Sequence, residues 1–201
     1  MEREPARPSG IGQKYANQRR GHEVRGRYPR EEIGEAFDAY CEQLALSGKT
    51  TDWRHWGASL TPDVTWIDCA LGHLGKREAV VREVERRLHG VDDDAPWVHL
   101  CRFPVAEYIV DERSESVWAF FWARFRDPGD GSRHEAKVFA ELHYAGDGLF
   151  KVIETLYNPN HFDAVLESWK SAKLAYDERR ERRAKRLAER EASARAVTPE
   201  N

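Results

Sequence analysis

The sequence predicts an α+β domain, and three observations carry that prediction. Apolar residues recur at three- and four-residue spacing through the first half of the chain. The period changes to two from about residue 97, and the run 117–125 is apolar on both alternating sets of positions.

The elements follow in order. Ile33, Phe37, Tyr40, Cys41, Leu44 and Ala45 mark an amphipathic helix of about 16 residues, with Ser47-Gly48 as its expected stop. A short helix from Thr51 to Leu60 is expected next, with Thr51-Asp52 as N-cap and Trp53 and Trp56 on adjoining positions. Val64, Thr65, Trp66, Ile67 and Asp68 read as a short strand, and Gly72 and Gly75 punctuate the loop after it. Lys76 to Gly90 forms a third helix, with Ala79, Val80, Val84 and Leu88 on one face and its arginines on the other. Strands are expected at about 97–110, 116–126, 135–145 and 149–157, separated by turns rich in Asp and Gly, and a last helix at about 161–176.

In 117–125, Trp118, Phe120 and Trp122 alternate with Val117, Ala119, Phe121, Ala123 and Phe125. An antiparallel sheet usually wets one face. Covering both requires helices on one side and a second body on the other, most economically another copy of the chain, so a homodimer through the sheet is expected.

Charge divides the chain more sharply than its overall balance of 32 basic and 35 acidic residues suggests. Residues 1–30 hold eight basic and three acidic side chains, and 177–195 hold eight and five, leaving 31–176 with 16 basic and 26 acidic. The expected organisation is therefore a disordered basic arm (1–30), an acidic domain (31–176) and a charged helical tail (177–201). The acidic body argues against sequence-specific nucleic-acid binding, while the arms leave an electrostatic partner open. No run approaches the roughly 18 to 20 apolar residues of a membrane span, and no secretory signal opens the chain. A cytoplasmic protein is expected, with Cys41, Cys69 and Cys101 as buried thiols, since their spacing fits neither a zinc site nor complete disulfide pairing. The eight histidines show no metal-ligand spacing, and the Gly-Asp-Gly segments sit between strands, where they make hairpins rather than phosphate loops.

Three helices, a strand carrying Trp66-Ile67-Asp68, the helix start Gly75-Lys76-Arg77-Glu78-Ala79-Val80 and the closing strand Gly148-Leu149-Phe150-Lys151-Val152 together resemble the SnoaL-like proteins of the nuclear transport factor two-like superfamily. The resemblance covers about residues 31–170. It implies a cone: a curled antiparallel sheet with helices packed on its concave side, enclosing an apolar pocket for a hydrophobic small molecule. It further implies a cofactor-independent isomerase, dehydratase or hydrolase working by general acid/base proton transfer, or else a non-catalytic binding protein, because relatives include both.

Candidate site residues are weighed against that pocket. His99 stands where dehydratase-like relatives place a catalytic histidine, and its plain alternative is a half-buried histidine bonded to backbone. The aspartate that orients such a histidine is missing after the first helix, where Asp52 is the nearest carboxylate. Asp68 shares a strand face with Trp66 and would serve as base, as orienter of His99, or as a strand-end turn former. Glu141 and His143 share a face with Phe139. They lie in the pocket if that face lines the cone, and on the dimer face if the parity is reversed. Tyr40 and Tyr157 would offer phenolic donors, and Trp56, Trp66, Trp97, Trp118, Phe120 and Trp122 would supply flat pocket walls or core.

Overall fold

The computed structural model describes residues 26–92 and 94–197, so the expected N-terminal arm lies, up to residue 25, outside the described residues. Helix α1 spans Arg30–Thr50 and α2 Arg54–Gly57. Strands β1 (Leu60–Asp68) and β2 (Gly72–Gly75) precede α3 (Arg77–Leu88). A 3-10 turn at Pro96–His99 leads into β3 (Leu100–Arg102), β4 (Val105–Asp111), β5 (Ser116–Phe125), β6 (Glu135–Gly146) and β7 (Leu149–Leu156). Helix α4 (Pro159–Val197) closes the chain.

Helix α1 buries Ile33, Phe37, Tyr40 and Leu44 along one stripe, with Glu31 and Glu32 in its first turn and Lys49 in its last, the signs that suit the helix dipole. It does not stop at Gly48. It ends at Thr51, which takes the left-handed conformation (φ 63°). Gly48 is used for packing instead: a Cβ there would meet the Cys101 carbonyl oxygen at 2.6 Å, so the glycine lets β3 approach the helix closely. Helix α2 is correspondingly shorter than expected, and the residues from Leu60 belong to β1.

All seven strands form one sheet in the order β2-β1-β7-β6-β5-β3, with β4 also pairing β5. The sheet is mixed rather than purely antiparallel, because β1 runs parallel to β7. The expected strand 97–110 is broken twice. Pro96 starts the 3-10 turn, and Pro104, which has no N–H to give a ladder, separates β3 from β4. Register shifts between Val105 and Glu107 and between Tyr144 and Gly146 bend β4 and β6, as bulges do. The result is a curled half-barrel with helices on its concave side.

Parity across the sheet is set by the cross-strand pairs Val117↔Leu142, Ala119↔Ala140, Phe121↔Val138 and Ala123↔Ala136, whose side chains face the helices. Val80, Val81, Val84 and Leu88 of α3 and Phe162 and Leu166 of α4 are buried with them. The intervening pairs Trp118↔Glu141, Phe120↔Phe139 and Trp122↔Lys137 therefore share the convex face, where Trp118 is 48% exposed and Ile109 65%.

Helix α4 runs 39 residues without a break, well past the expected end at 176. Trp169 Nε1 donates to the Arg126 carbonyl at 2.6 Å, and the Tyr176 ring lies against Gly129. No described helix is long and apolar enough to cross a membrane.

Candidate functional site

The concave face does not close completely on its helices. A cavity of about 150 Å³ remains between α1, α2, α3 and the sheet, walled by Tyr40, Trp53, Trp56, Trp66, Trp97 and Phe121 among others. Its space comes from small residues: Ala123 and Ala140 line it from adjacent strands, where larger side chains would fill it. Two aromatic clusters form its walls. Tyr40, Trp53, Trp56 and Phe103 meet edge to face at one end, and Trp97, Tyr157 and Phe162 pack together at the other.

Polar chemistry in this wall concentrates at Asp68. Strand β1 pairs with β7 so that Asp68 lies beside Thr155, and both face the cavity. Asp68 is 4% exposed, and its carboxylate accepts four hydrogen bonds. Oδ1 accepts from the amides of Ala70 (2.9 Å) and Leu71 (3.0 Å) and from the Tyr157 hydroxyl (2.9 Å), while Oδ2 accepts from Thr155 Oγ1 (2.8 Å). Trp66 Nε1 donates in turn to Thr155 Oγ1 at 3.0 Å. The turn-former reading of Asp68 and its placement in the pocket are thus both realised, by different lone pairs of one side chain.

Burial, and after it the neighbouring Asp68 charge, push the Tyr157 phenol well above the ordinary tyrosine range, with Arg87 pulling weakly the other way. Tyr157 is held as a neutral hydroxyl whose proton points to Asp68. Burial does the same to Tyr40 at the opposite end. Arg87 lies 5.2 Å from the Trp97 ring centroid and bonds Glu83 Oε1 through Nε at 3.1 Å. Its guanidinium is part of the cavity wall.

Of the residues singled out in the sequence, Asp68, Tyr40, Trp56, Trp66, Trp97 and Tyr157 line this cavity. The others lie elsewhere. His99 is not at the start of a strand but in the 3-10 turn, 7% exposed, its ring tilted against Trp169 at 4.3 Å and stacked on Phe125 at 6.2 Å. It is outside the cavity lining, because the turn rotates it toward α4. Asp52 sits on the surface between α1 and α2, where it bonds the Arg54 amide and guanidinium, and that contact lowers its carboxyl to about 2. The Phe139 face proves to be the convex one. His143 Nε2 lies 3.2 Å from Glu141 Oε1 there, beside Trp118, Phe120, Trp122 and Phe139, so none of these six lines the pocket. Of the cysteines, Cys69 is exposed, since it falls just past the end of β1, and Cys41 and Cys101 are half-buried.

Two polar residues of the wall were not anticipated. Thr155 follows from the β1–β7 register, which no local pattern announces. Arg87 was assigned to the solvent face of α3, yet it stands one position before Leu88 and three after Val84, at the border of the buried stripe, and so reaches the cavity. Among the described residues no three His, Cys, Asp or Glu side chains gather as a metal site would require.

The fold is also found in solved structures of other proteins. Over 73% of this chain and 97% of the other, it superposes on an LEH-like epoxide hydrolase from M. tuberculosis with a TM-score of 0.54 at 14% identity. The likeness is one of fold. A protein assigned as a SnoaL-like polyketide cyclase from Jannaschia matches 73% of this chain and 95% of its own, with a TM-score of 0.52 at 9% identity. No protein-family model and no curated protein matches the sequence. At identities this low the nuclear transport factor two-like likeness speaks for the fold, and the chemistry rests on the residues of the cavity.

Proposed function

We propose that residues 31–176 act as a cofactor-independent enzyme on a compact hydrophobic molecule, of isomerase, dehydratase or hydrolase type, with Asp68 moving the proton. One observation carries this reading: among the described residues, Asp68 is the single carboxylate in the wall of an otherwise apolar, aromatic cavity, and it is bonded to Tyr157 there. A cavity near 150 Å³ takes a molecule of about one or two rings, since an apolar cavity of that size holds benzene. The aromatic walls favour a flat ligand.

Three donors occupy Oδ1 and one occupies Oδ2, so Oδ2 keeps a lone pair for a substrate proton or a water. Tyr157 positions the carboxylate, and Arg87 is the donor of the wall that would meet an oxygen of the ligand. Names of the superposed proteins agree with a small-molecule pocket, one being an epoxide hydrolase. General acid/base groups typically contribute about 10²- to 10⁴-fold. Asp68→Asn should therefore lower turnover of a terpenoid epoxide or a β,γ-unsaturated ketone by at least about 10², with circular dichroism unchanged. Turnover of such a probe at the wild-type rate in Asp68→Asn would remove Asp68 from the mechanism.

The four donors on Asp68 also favour a second reading, a binding protein whose carboxylate only orients the ligand, because they leave little of the carboxylate free to take a proton from it. Ligand-induced quenching of tryptophan fluorescence with no product from either probe would select it. In both readings two copies pair through the convex face, whose Trp118, Phe120, Phe139 and Leu156 otherwise face water, in a reducing cytoplasm that keeps the three thiols free.

A further inference from the structure

The last turns of α4 carry a second surface, remote from the cavity. Every residue from 178 to 193 is exposed, so nothing in the fold explains which side chains stand where on this part of the helix. At about 100° per residue, Arg179, Arg183, Arg186 and Arg190 fall in one arc of about 60°. Arg182 and Arg180 flank them at its two edges. Asp177 and Glu181 fall opposite this arc, Glu178 and Glu189 lie beside Arg182, and Glu191 lies beside Arg180, so no acidic residue of the stretch stands within the arc itself.

That segregation works against the helix taken alone. A solvated helix gains from opposite charges three or four positions apart and loses from like charges there. Here Arg179–Arg183, Arg182–Arg186 and Arg186–Arg190 are like-charge pairs at a spacing of four, and Arg183–Arg186 at three. The only ion pairs of the stripe and its flanks among the described residues are Arg179 with Asp130 at 3.6 Å and Arg182 with Glu178 at 3.5 Å. Arg183, Arg186 and Arg190, crowded on one arc with no ion pair among the described residues, point to a partner outside the fold.

We infer that this arginine stripe binds the phosphate backbone of a nucleic acid duplex without reading its sequence. The stripe is about 16 Å long, counting 1.5 Å per residue, and a duplex presents about ten phosphate charges over that length of axis. Guanidinium forks suit phosphate oxygens bidentately. The stripe and its flanks carry no Asn or Gln that would read base edges. Leu187 is the one large apolar residue near the stripe, which leaves no apolar face for a membrane surface and no buried anchor for a protein partner.

The test is fluorescence anisotropy of the full chain with labelled 20-base-pair duplexes, DNA of two unrelated sequences and RNA, over a salt series. Four neutralised phosphates predict a slope of log affinity against log salt of about −3.6, equal for the two DNA sequences. Arg183→Gln/Arg186→Gln/Arg190→Gln should make that slope shallower by about 2.7 and weaken binding by more than about 10²-fold at low salt, with helicity retained. The RNA arm tells which duplex is preferred, since the two share the backbone chemistry. Three outcomes overturn the inference: no difference between this variant and the wild type; an equal loss in Arg19→Gln/Arg20→Gln/Arg25→Gln, which removes the same charge elsewhere; or tighter arginine-dependent binding to polyglutamate or to anionic phosphatidylserine vesicles than to either duplex.

Discussion

Asp68 shows how a single side chain can be read correctly in kind and still be incomplete in role. The sequence places it on the same strand face as Trp66, because the two are separated by two residues, and the structure keeps them so. Its partner Thr155 lies 87 positions away and is visible only through the β1–β7 register. His99 reads wrongly for the opposite reason. Pro96 one turn earlier redirects the backbone, and that local signal outweighs the strand period. Titration offers a check at this scale. Tyr40 and Tyr157 are held neutral above their ordinary range. A raised folded-state value means that their contribution to stability is complete below the unfolded value of about 10 and is lost as pH rises above it toward the folded values. Urea unfolding midpoints should fall more steeply above about pH 10 than below it. Thiol chemistry gives a second check. Burial, with the Asp38 charge behind it, pushes the Cys41 thiol up to about 12, and burial also raises Cys101. Because the thiolate is the reactive form, iodoacetamide at pH 8 should label exposed Cys69 first, with Cys41 following only on unfolding, as peptide mass spectrometry would show.

At the level of elements, the helices were legible from their periodicity and the long strands from their alternation, while boundaries and parity were not. Gly48 looks like a helix stop in sequence, yet its role is fixed by a carbonyl oxygen 53 residues further on that comes within 2.6 Å of a Cβ. Parity failed for a physical reason. Both faces of β5 are apolar, so hydrophobicity cannot tell inside from outside, and a shift of one residue exchanges the sets. The better signal is size: the alanines Ala119, Ala123, Ala136 and Ala140 pair across β5 and β6 on the concave side, where helices and a cavity must fit, and the large rings stand on the side with room. The loop between β5 and β6 gives a prediction about packing. Gly129 has φ +118°, and a Cβ there would come within 2.5 Å of the Tyr176 ring of α4. Gly129→Ala should cost about 1 to 3 kcal/mol in denaturant unfolding. A change below about 0.5 kcal/mol would show that the loop does not hold α4.

For the whole molecule, the segment charges separate an acidic pocket domain from basic extensions, and α4 carries the C-terminal one outward on a single unbroken helix. A helical tail is what its Glu-, Arg- and Ala-rich composition predicts, while its unbroken junction with the packed helix has no apolar stripe beyond Tyr176 to announce it. The proposed dimer predicts that Trp118→Lys, placed where the convex face is half exposed, yields a monomer by light scattering at concentrations where the wild type is a dimer; identical masses would dismiss that face as the interface. The cone cavity with Asp68 in its wall is the centre of the account. Its most direct test is a calorimetric titration with 2-naphthol, comparing the wild type with Ala140→Phe, which fills the cavity from the middle of β6. The account predicts saturable one-to-one binding by the wild type and none by the filled variant. Equal binding by both would contradict it.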